Sequence, residues 1–235
     1  MQVKTKGIVI SAIKYQDKSL IVKCFTASDG LKSYFIHNAY SASSKQKIAF
    51  FQTAQIIEIE AVHKNKDTLE RINEVKLHYA YRHLLENFYK STQLIFLIDV
   101  LKICLKEDGE NIGLYTFLET SFIWLDTNQY DADFHLVFLM QLTKYLGFMP
   151  SNKIDNEHFF EKIEGIFQIN YSSSCLNKDE SLLFNDLINA TYDRPKIFTK
   201  SQRIFLTNTL LEYYQWHVEG FRLPKSLEVL KELYS

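Results

Sequence analysis

Ten cations in the first third of the chain are of the kind that binds a polyanion: Lys4, Lys6, Lys14, Lys18, Lys23, Lys32, Lys45, Lys47, Arg71 and Lys76. Between Lys4 and Lys47 the only acids are Asp17 and Asp29. Neutralising phosphates needs several cations on one surface but no fixed spacing, so the pattern points to nucleic-acid backbone binding rather than to a catalytic centre. Lys4 and Lys6 have the same strand parity and therefore face one side. Tyr15, Tyr34 and Tyr40 lie among the lysines, and a base stacked on an exposed aromatic ring is worth about 1–3 kcal/mol. Tyr34 has the parity of Lys32, opposite to Leu31, Phe35 and His37, which predicts an outward-facing ring. The alternative for each lysine is a solvated surface charge, and for each tyrosine a ring packed at the surface of the fold.

A second basic group, Arg82, Arg194, Lys196, Lys200 and Arg203, follows later in the chain. Beside an apolar groove such charges serve a second DNA contact or a dock for an acidic peptide tail; a plain solvated face is the alternative. Other chemistries find no constellation. The histidines (His37, His63, His78, His83, His135, His158, His217) are scattered, with no HxxxH or HExxH pattern. GxGxxG, P-loop and GxSxG sequences are absent, which removes support for nucleotide-dependent chemistry and serine hydrolysis. Asp131 and Asp133 read as the acidic start of a helix more readily than as a metal pair. Cys24, Cys104 and Cys175 are far apart and form no CxxC pair, so they read as small hydrophobes in a reducing compartment. The expectation is a protein that is not an enzyme and needs no cofactor or metal.

The elements that must position the cations begin with β-rich runs. Lys4 to Ile10, Ser19 to Val22 after a hydrophilic break, and Leu31 to Asn38 read as three strands, the last entered through an Asp29-Gly30 turn, in the order of an antiparallel meander. Ser41 to Lys47 reads as a mobile loop. A fourth strand is predicted over Gln55–Glu60 and a fifth near Leu69–Val75, after the turn-like Lys64-Asn65-Lys66-Asp67. Five short strands in about 75 residues suit a small closed barrel, with an OB-fold the leading choice.

From Lys76 the period becomes helical. Leu77, Ala80, Tyr81, Leu84, Leu85 and Phe88 form one face; Leu94, Leu97, Ile98, Leu101, Cys104 and Leu105 form a second, with Ser91 and Thr92 as caps between them. Phe134, Val137, Phe138, Gln141 and Tyr145 form another, stopped by Gly147 and Pro150. Further helices are expected over Leu114–Leu125, Asp179–Asn189, Thr199–Val218 and Ser226–Tyr234. Ser151 to Tyr171 loses the period around a Glu164-Gly165 turn and reads as a small β-hairpin or an irregular insertion.

The bulk numbers agree with a folded protein of this kind. Apolar residues make up 46% of the 235-residue chain and charged residues 23%, and Gly (7) and Pro (3) are scarce. The longest apolar runs are too short to span a bilayer, and the N-terminus has no apolar segment of signal-peptide type, which predicts a cytoplasmic protein, nucleoid-associated when it acts on DNA. A net charge of −1 hides an asymmetry: residues 1–78 hold 12 Lys and Arg against 7 Asp and Glu, +5, which leaves 15 against 21, −6, for residues 79–235. A basic domain joined to an acidic one fits a nucleic-acid module attached to a partner-binding module.

Taken in order, these pieces resemble the bacterial RecO recombination mediators. The carriers are Lys6-Gly7-Ile8-Val9-Ile10, Lys14-Tyr15 through Ser19-Leu20-Ile21-Val22, Gly30-Leu31-Lys32-Ser33-Tyr34, Leu146-Gly147-Phe148-Met149-Pro150, and Gly220-Phe221-Arg222-Leu223-Pro224-Lys225-Ser226. The resemblance covers nearly the whole chain. It implies an α+β protein, with an N-terminal five-stranded OB-fold barrel over 1–78 and a mainly α-helical domain over 79–235. It also implies binding of single- and double-stranded DNA, annealing of complementary strands, and work with RecR in loading RecA onto DNA coated by single-strand-binding protein, whose acidic C-terminal tail is a further partner. Many members carry a four-cysteine zinc module after the Gly-Phe-x-Pro turn. Here residues 151–177 offer Cys175 and His158, too few for a tetrahedral site, so the aromatics Phe159, Phe160 and Phe167 are expected to hold the insertion instead. The alternative function is a protein-interaction adaptor that contacts DNA only within a RecR-containing complex. A metal-dependent nuclease ranks last.

Overall fold

A computed structural model of the chain describes residues 1–40, 48–64, 68–84, 86–107, 109–193 and 197–233. The chain forms two compact units, one of Met1–Leu94 and Ile98–Asn128, the other of Ile95–Leu97 and Gln129–Ser235. The architecture is α+β: a five-stranded antiparallel sheet, then helices interrupted by a two-stranded sheet. Among the described residues no helix is long and apolar enough to cross a membrane.

In the first unit β1 (Gln2–Tyr15) is long enough to serve two neighbours. Its residues Gln2–Ile8 pair with β4 (Ile56–Val62) and its residues Gly7–Tyr15 with β2 (Ser19–Thr26). The register slips between Val9 and Ser11, and such a bulge bends the strand so that one strand can join both halves of a curled sheet. β3 (Gly30–Ile36) and β5 (Arg71–Tyr79) take the edges, in the order β3-β2-β1-β4-β5. Val9, Leu20, Val22, Cys24, Tyr34, Phe51, Ile57 and Ile59 fill the inside. Gly30 enters β3 at φ +67°, and a Cβ there would stand 1.9 Å from the Gly109 carbonyl oxygen, so the turn requires glycine.

Among the described residues a single bridge joins the edges. Tyr34 and Glu70 form a parallel bridge in which the Phe35 N–H donates to the Glu70 carbonyl (3.0 Å) and the Glu70 N–H to the Ser33 carbonyl (2.8 Å). The expected barrel is thus a curled sheet closed by a bridge rather than by a ladder, and a seam stays open beside that bridge.

The helix expected over Leu77–Phe88 is not present. The β4 ladder carries β5 on to Tyr79, with His78 as the extra residue where the register slips between Ile56 and Ile57. Ladder hydrogen bonds formed there with β4 prevail over a local helical spacing. Past Tyr79 the chain wraps the Asp126 carboxylate, which accepts from the Tyr79 hydroxyl (2.8 Å) and from the backbone N–H groups of Arg82, His83 and Leu84. Burial would raise the Asp126 carboxyl, but these four donors outweigh it and hold the group below its usual range. Asp126 closes α2 (Ile112–Thr127). Lys90, buried in the first turn of α1 (Phe88–Cys104), donates its Nζ to the Asp126 and Asn128 carbonyls, satisfying acceptors that the end of α2 leaves open. Asn87 caps α1; the expected caps Ser91 and Thr92 lie inside the helix and bond back to its carbonyls.

The second unit holds α3 (Phe134–Leu146), β6 (Phe159–Glu161), β7 (Ile166–Gln168), α4 (Lys178–Ile188), α5 (Lys200–His217) and α6 (Leu227–Glu232). Asn177 with Glu180, and Thr199 with Gln202, form capping boxes that start α4 and α5. Gly147 ends α3 in the left-handed region, as its sequence signal predicts.

The insertion is a β-hairpin held by aromatic rings. Phe160 is fully buried with its centroid 4.4 Å from Phe184 and 5.1 Å from Phe167, while half-buried Phe159 meets Tyr171 edge-on at 5.4 Å. Gly165 turns the hairpin where a Cβ would stand 2.3 Å from the Tyr213 hydroxyl. The Cys175 thiol is buried beside the Gln168 amide (3.0 Å) and the Ser172 hydroxyl (3.2 Å).

Candidate nucleic-acid interface

Strand register decides what surrounds each cation. Lys4 lies opposite Glu60, which lies opposite Glu74; Lys6 lies opposite Glu58, which lies opposite Lys76. The outer face of β1, β4 and β5 is therefore a ladder of mixed sign. Lys4 Nζ is 3.4 Å from Glu58 and 3.5 Å from Glu60, and Lys76 Nζ is 3.1 Å from Glu58. Lys6 Nζ reaches Glu119 of α2 at 3.3 Å, and Glu119 also has Tyr115 Oη at 3.4 Å and His78 Nε2 at 3.5 Å. Lys76 and Lys4 hold the Glu58 carboxyl below its usual range, and Glu58 and Glu60 raise the Lys4 ammonium. A phosphate arriving here must displace a carboxylate from each of the three lysines.

The tip of the β1–β2 hairpin and the adjoining end of β3 differ. Lys14, Tyr15 and Lys18 are exposed at the tip. Lys14 Nζ sits 5.6 Å over the Tyr40 ring, and the Tyr40 N–H donates to the Lys18 carbonyl (3.2 Å). Tyr15 meets Phe35 edge-on at 6.0 Å, and Phe35 meets His37 at 6.2 Å. Phe35 and His37 line the open seam, a cavity of about 700 Å³ completed by Ile36, Ala39, Phe51, Leu69, Glu70, Arg71, Ile72, Asn73 and Val75. Arg71 is exposed. Among the described residues neither Lys14, Lys18, Lys23 nor Arg71 is in an ion pair. Lys23 is exposed in the middle of β2, and half-exposed Lys32 lies near the Gly30 end of β3. Lys45 and Lys47 lie outside the described residues.

Tyr34 is not outward-facing. It is fully buried opposite Val22, and its hydroxyl pairs with His63 Nε2 at 2.8 Å, with His63 Nδ1 in turn 3.0 Å from Asp29. A buried tyrosine needs a partner for its hydroxyl, and His63, 29 residues away, supplies one that strand parity could not reveal. Burial pushes the Tyr34 phenol well above its usual range. Of the three candidate tyrosines, Tyr15 and Tyr40 are exposed, at 44% and 39%.

Of the second basic group, Arg82, Lys200 and Arg203 are described. Arg203 is largely buried: its Nε lies 2.6 Å from Asp133 Oδ1 and its Nη2 donates to the Phe198 carbonyl, while Asp133 Oδ2 accepts the Phe198 N–H. That arrangement fastens the start of α5 to the start of α3, and the guanidinium is a structural cation. Lys200 is exposed in the first turn of α5; Arg82 is exposed in the other unit. Arg194 and Lys196 lie outside the described residues. Asp131 accepts the Asp133 N–H (2.8 Å) just ahead of α3, which fits the acidic helix start. Among the described residues no group of three or more His, Cys, Asp or Glu side chains is placed to hold a metal.

Sequence reasoning missed the acids that occupy Lys4, Lys6 and Lys76. A signal existed: Lys-x-Lys in one strand and Glu-x-Glu (Glu58, Glu60) in another have the same period and opposite sign, as a cross-strand ladder requires. Nor does any motif mark Phe35, His37 and Asn73, which line the cavity at the seam.

Comparison with known proteins covers the whole molecule. A family model described as Recombination protein O N terminal matches residues 1–81, and one described as Recombination protein O C terminal matches residues 85–227. Over the full length of both chains, the sequence is 50% identical to the DNA repair protein RecO of Flavobacterium psychrophilum and 45% identical to that of Flavobacterium johnsoniae. It is 37% identical, again over both full chains, to the DNA repair protein RecO of Christiangramia forsetii.

Proposed function

Because the chain belongs to the RecO family of DNA repair proteins, we propose that it is a non-enzymatic, DNA-binding recombination mediator. It binds single- and double-stranded DNA through phosphate contacts and anneals complementary strands. With RecR it helps load RecA onto DNA coated by single-strand-binding protein, whose acidic C-terminal tail it contacts, and it does this at the nucleoid. The sheet domain, residues 1–78, carries the DNA and the helical domain, residues 79–235, carries partners.

The observation that supports this reading is the division of the cations. Lys14, Lys18, Lys23 and Arg71 are exposed and outside the ion pairs among the described residues, and Lys14 and Lys18 share the hairpin tip with exposed Tyr15 and Tyr40. Each phosphate neutralised releases condensed counterions, so affinity falls as salt rises. A basic surface also lowers the repulsion between two strands brought together, which is all that annealing demands of a protein.

The test is the rate of annealing of two labelled complementary oligonucleotides across a salt series, without nucleotide or metal. Acceleration that fades with salt is expected. No acceleration at low salt by a folded sample would remove the mediator reading in this form. The ion-paired outer face of β1, β4 and β5 favours a second reading, an adaptor whose own positive surface is too small to hold DNA. Retention of RecR in a pull-down by protein that ignores DNA would select the adaptor.

A further inference from the structure

We propose that the open seam between β3 and β5 is a base-capture subsite, which takes one unstacked nucleobase of a single strand; this rests on the DNA-binding reading above. The seam lies beside the bridge at Tyr34 and Glu70, the one bridge that joins the sheet edges among the described residues. Its volume of about 700 Å³ lies in the range of sites that enclose a small ligand. Its wall carries the three kinds of group that a nucleobase recognises.

The first is a π-face. The half-buried Phe35 ring is held edge-on by Tyr15 at 6.0 Å and by His37 at 6.2 Å, so it is ordered before any base arrives. The second is an amide: exposed Asn73 offers both a donor and an acceptor to a base edge. The third is a cation for the attached phosphate, Arg71, which carries no ion pair among the described residues. The acid in the wall, Glu70, is buried, and both its carboxylate oxygens accept the Lys64 N–H at 2.9 Å.

The strand has a route to the seam. Tyr15 touches Phe35 and belongs to the same hairpin tip as Lys14 and Lys18, with Tyr40 beneath Lys14. Phosphates held at the tip leave the next base beside the Phe35 ring. In a duplex the base faces are covered by stacking and the edges by pairing, so only an unpaired base can enter. The seam therefore sets a preference for single strands that lysines alone do not provide. An extended peptide added along β3 is the competing occupant, but such a strand draws its affinity from main-chain hydrogen bonds and has no use for the cation and the amide gathered here.

The experiment compares three labelled ligands of one length, a thymidine strand, the same strand with abasic positions, and a duplex, by fluorescence anisotropy. The wild-type protein is expected to bind the thymidine strand about tenfold more tightly than the abasic strand, the size of one base–aromatic stack. Phe35→Ala is expected to erase that difference while leaving the salt dependence in place. Phe35→Leu, which keeps apolar volume and removes the π-face, should do the same in a protein certain to be packed. Equal wild-type binding of the thymidine and abasic strands overturns the subsite and spares the DNA-binding reading. A difference that survives Phe35→Leu also overturns it. Loss of RecR binding with base discrimination intact would assign the seam to a peptide strand. No binding of any of the three ligands would overturn the DNA-binding reading itself, and the subsite with it.

Discussion

The outer face of β1, β4 and β5 and the β1–β2 hairpin tip with its seam draw on the same supply of cations and put them to different use. On the outer face Lys4, Lys6 and Lys76 share carboxylates with Glu58, Glu60 and Glu119 at 3.1 to 3.5 Å. At the tip and seam Lys14 sits over the Tyr40 ring instead, Lys18 is exposed at the same tip, and Arg71 lines the cavity that Phe35 also lines. Counting cations along a sequence treats the two as equal. The field that a polyanion meets depends on which cations are already neutralised. Arg203 is the extreme case, a guanidinium that the positive count includes and that solvent scarcely reaches.

The sharpest way to break this comparison is to remove the most engaged cation. Arg203→Met should destabilise the protein by about 3 kcal/mol or more, because Asp133 is left buried without its partner, while leaving DNA affinity at the wild-type level. Chemical denaturation and anisotropy read the two quantities; a stable variant that binds DNA poorly would reverse the assignment of Arg203.

Next in size is charge reversal at the tip. Lys14→Glu, Lys18→Glu and Arg71→Glu together should weaken single-strand binding by about a hundredfold and lower the slope of log affinity against log salt by about 2. Reversing Lys4, Lys6 and Lys76 in the same way should have a smaller effect on affinity. Equal losses from the two sets would erase the distinction between the faces.

A gain of function sharpens the same point. Glu58→Gln with Glu60→Gln releases Lys4 and Lys76, and DNA binding should tighten by about threefold to tenfold at low salt, an advantage that shrinks as salt is added. Unchanged affinity would mean that the outer face lies off the path of the strand even when its lysines are free.

The smallest expected effect is on pH dependence. The Glu58 carboxyl is lowered from its ordinary 4.5 by Lys76 and Lys4. Its contribution to stability is therefore present above that value and lost as pH falls through the depressed one. Between pH 5 and 3 the melting temperature of the wild type should drop slightly more than that of Glu58→Gln. Lys4, raised by Glu58 and Glu60, has the opposite sign: its contribution holds below 10.5 and is lost as pH rises beyond it. Parallel curves for wild type and Glu58→Gln would show the ladder to be energetically silent.

Much of the fold was legible. Alternation and the Asp29-Gly30 turn placed β1 to β3, the Gln55–Glu60 run placed β4 within two residues, and helical spacing with the Gly147 stop placed α3 to α5, while the capping boxes at Asn177 and Thr199 emerged only in the structure. The failure at Leu77–Phe88 has a definite cause. Those residues are apolar at helical spacing, yet β4 offers a ladder and Asp126 offers a carboxylate, and both partners are remote in sequence. The site was legible as a composition of lysines and tyrosines. Its location was not, because Tyr34 found His63 inside the sheet and three lysines found acids on other elements.

What the sequence by itself determined was the type of most elements, the supply of basic and aromatic residues in the first 78 positions, and, through short motifs taken in order, membership of the RecO family. These are properties of neighbouring residues, or of residue order. Tertiary structure alone decided which cations stand outside ion pairs and where the sheet edges part. An ion pair forms only where two side chains meet within about 4 Å, and Lys6 meets Glu119 across 113 positions of chain. The seam likewise depends on how far the edges of β3 and β5 close, which is set by the bulge in β1 and by one bridge at Tyr34 and Glu70.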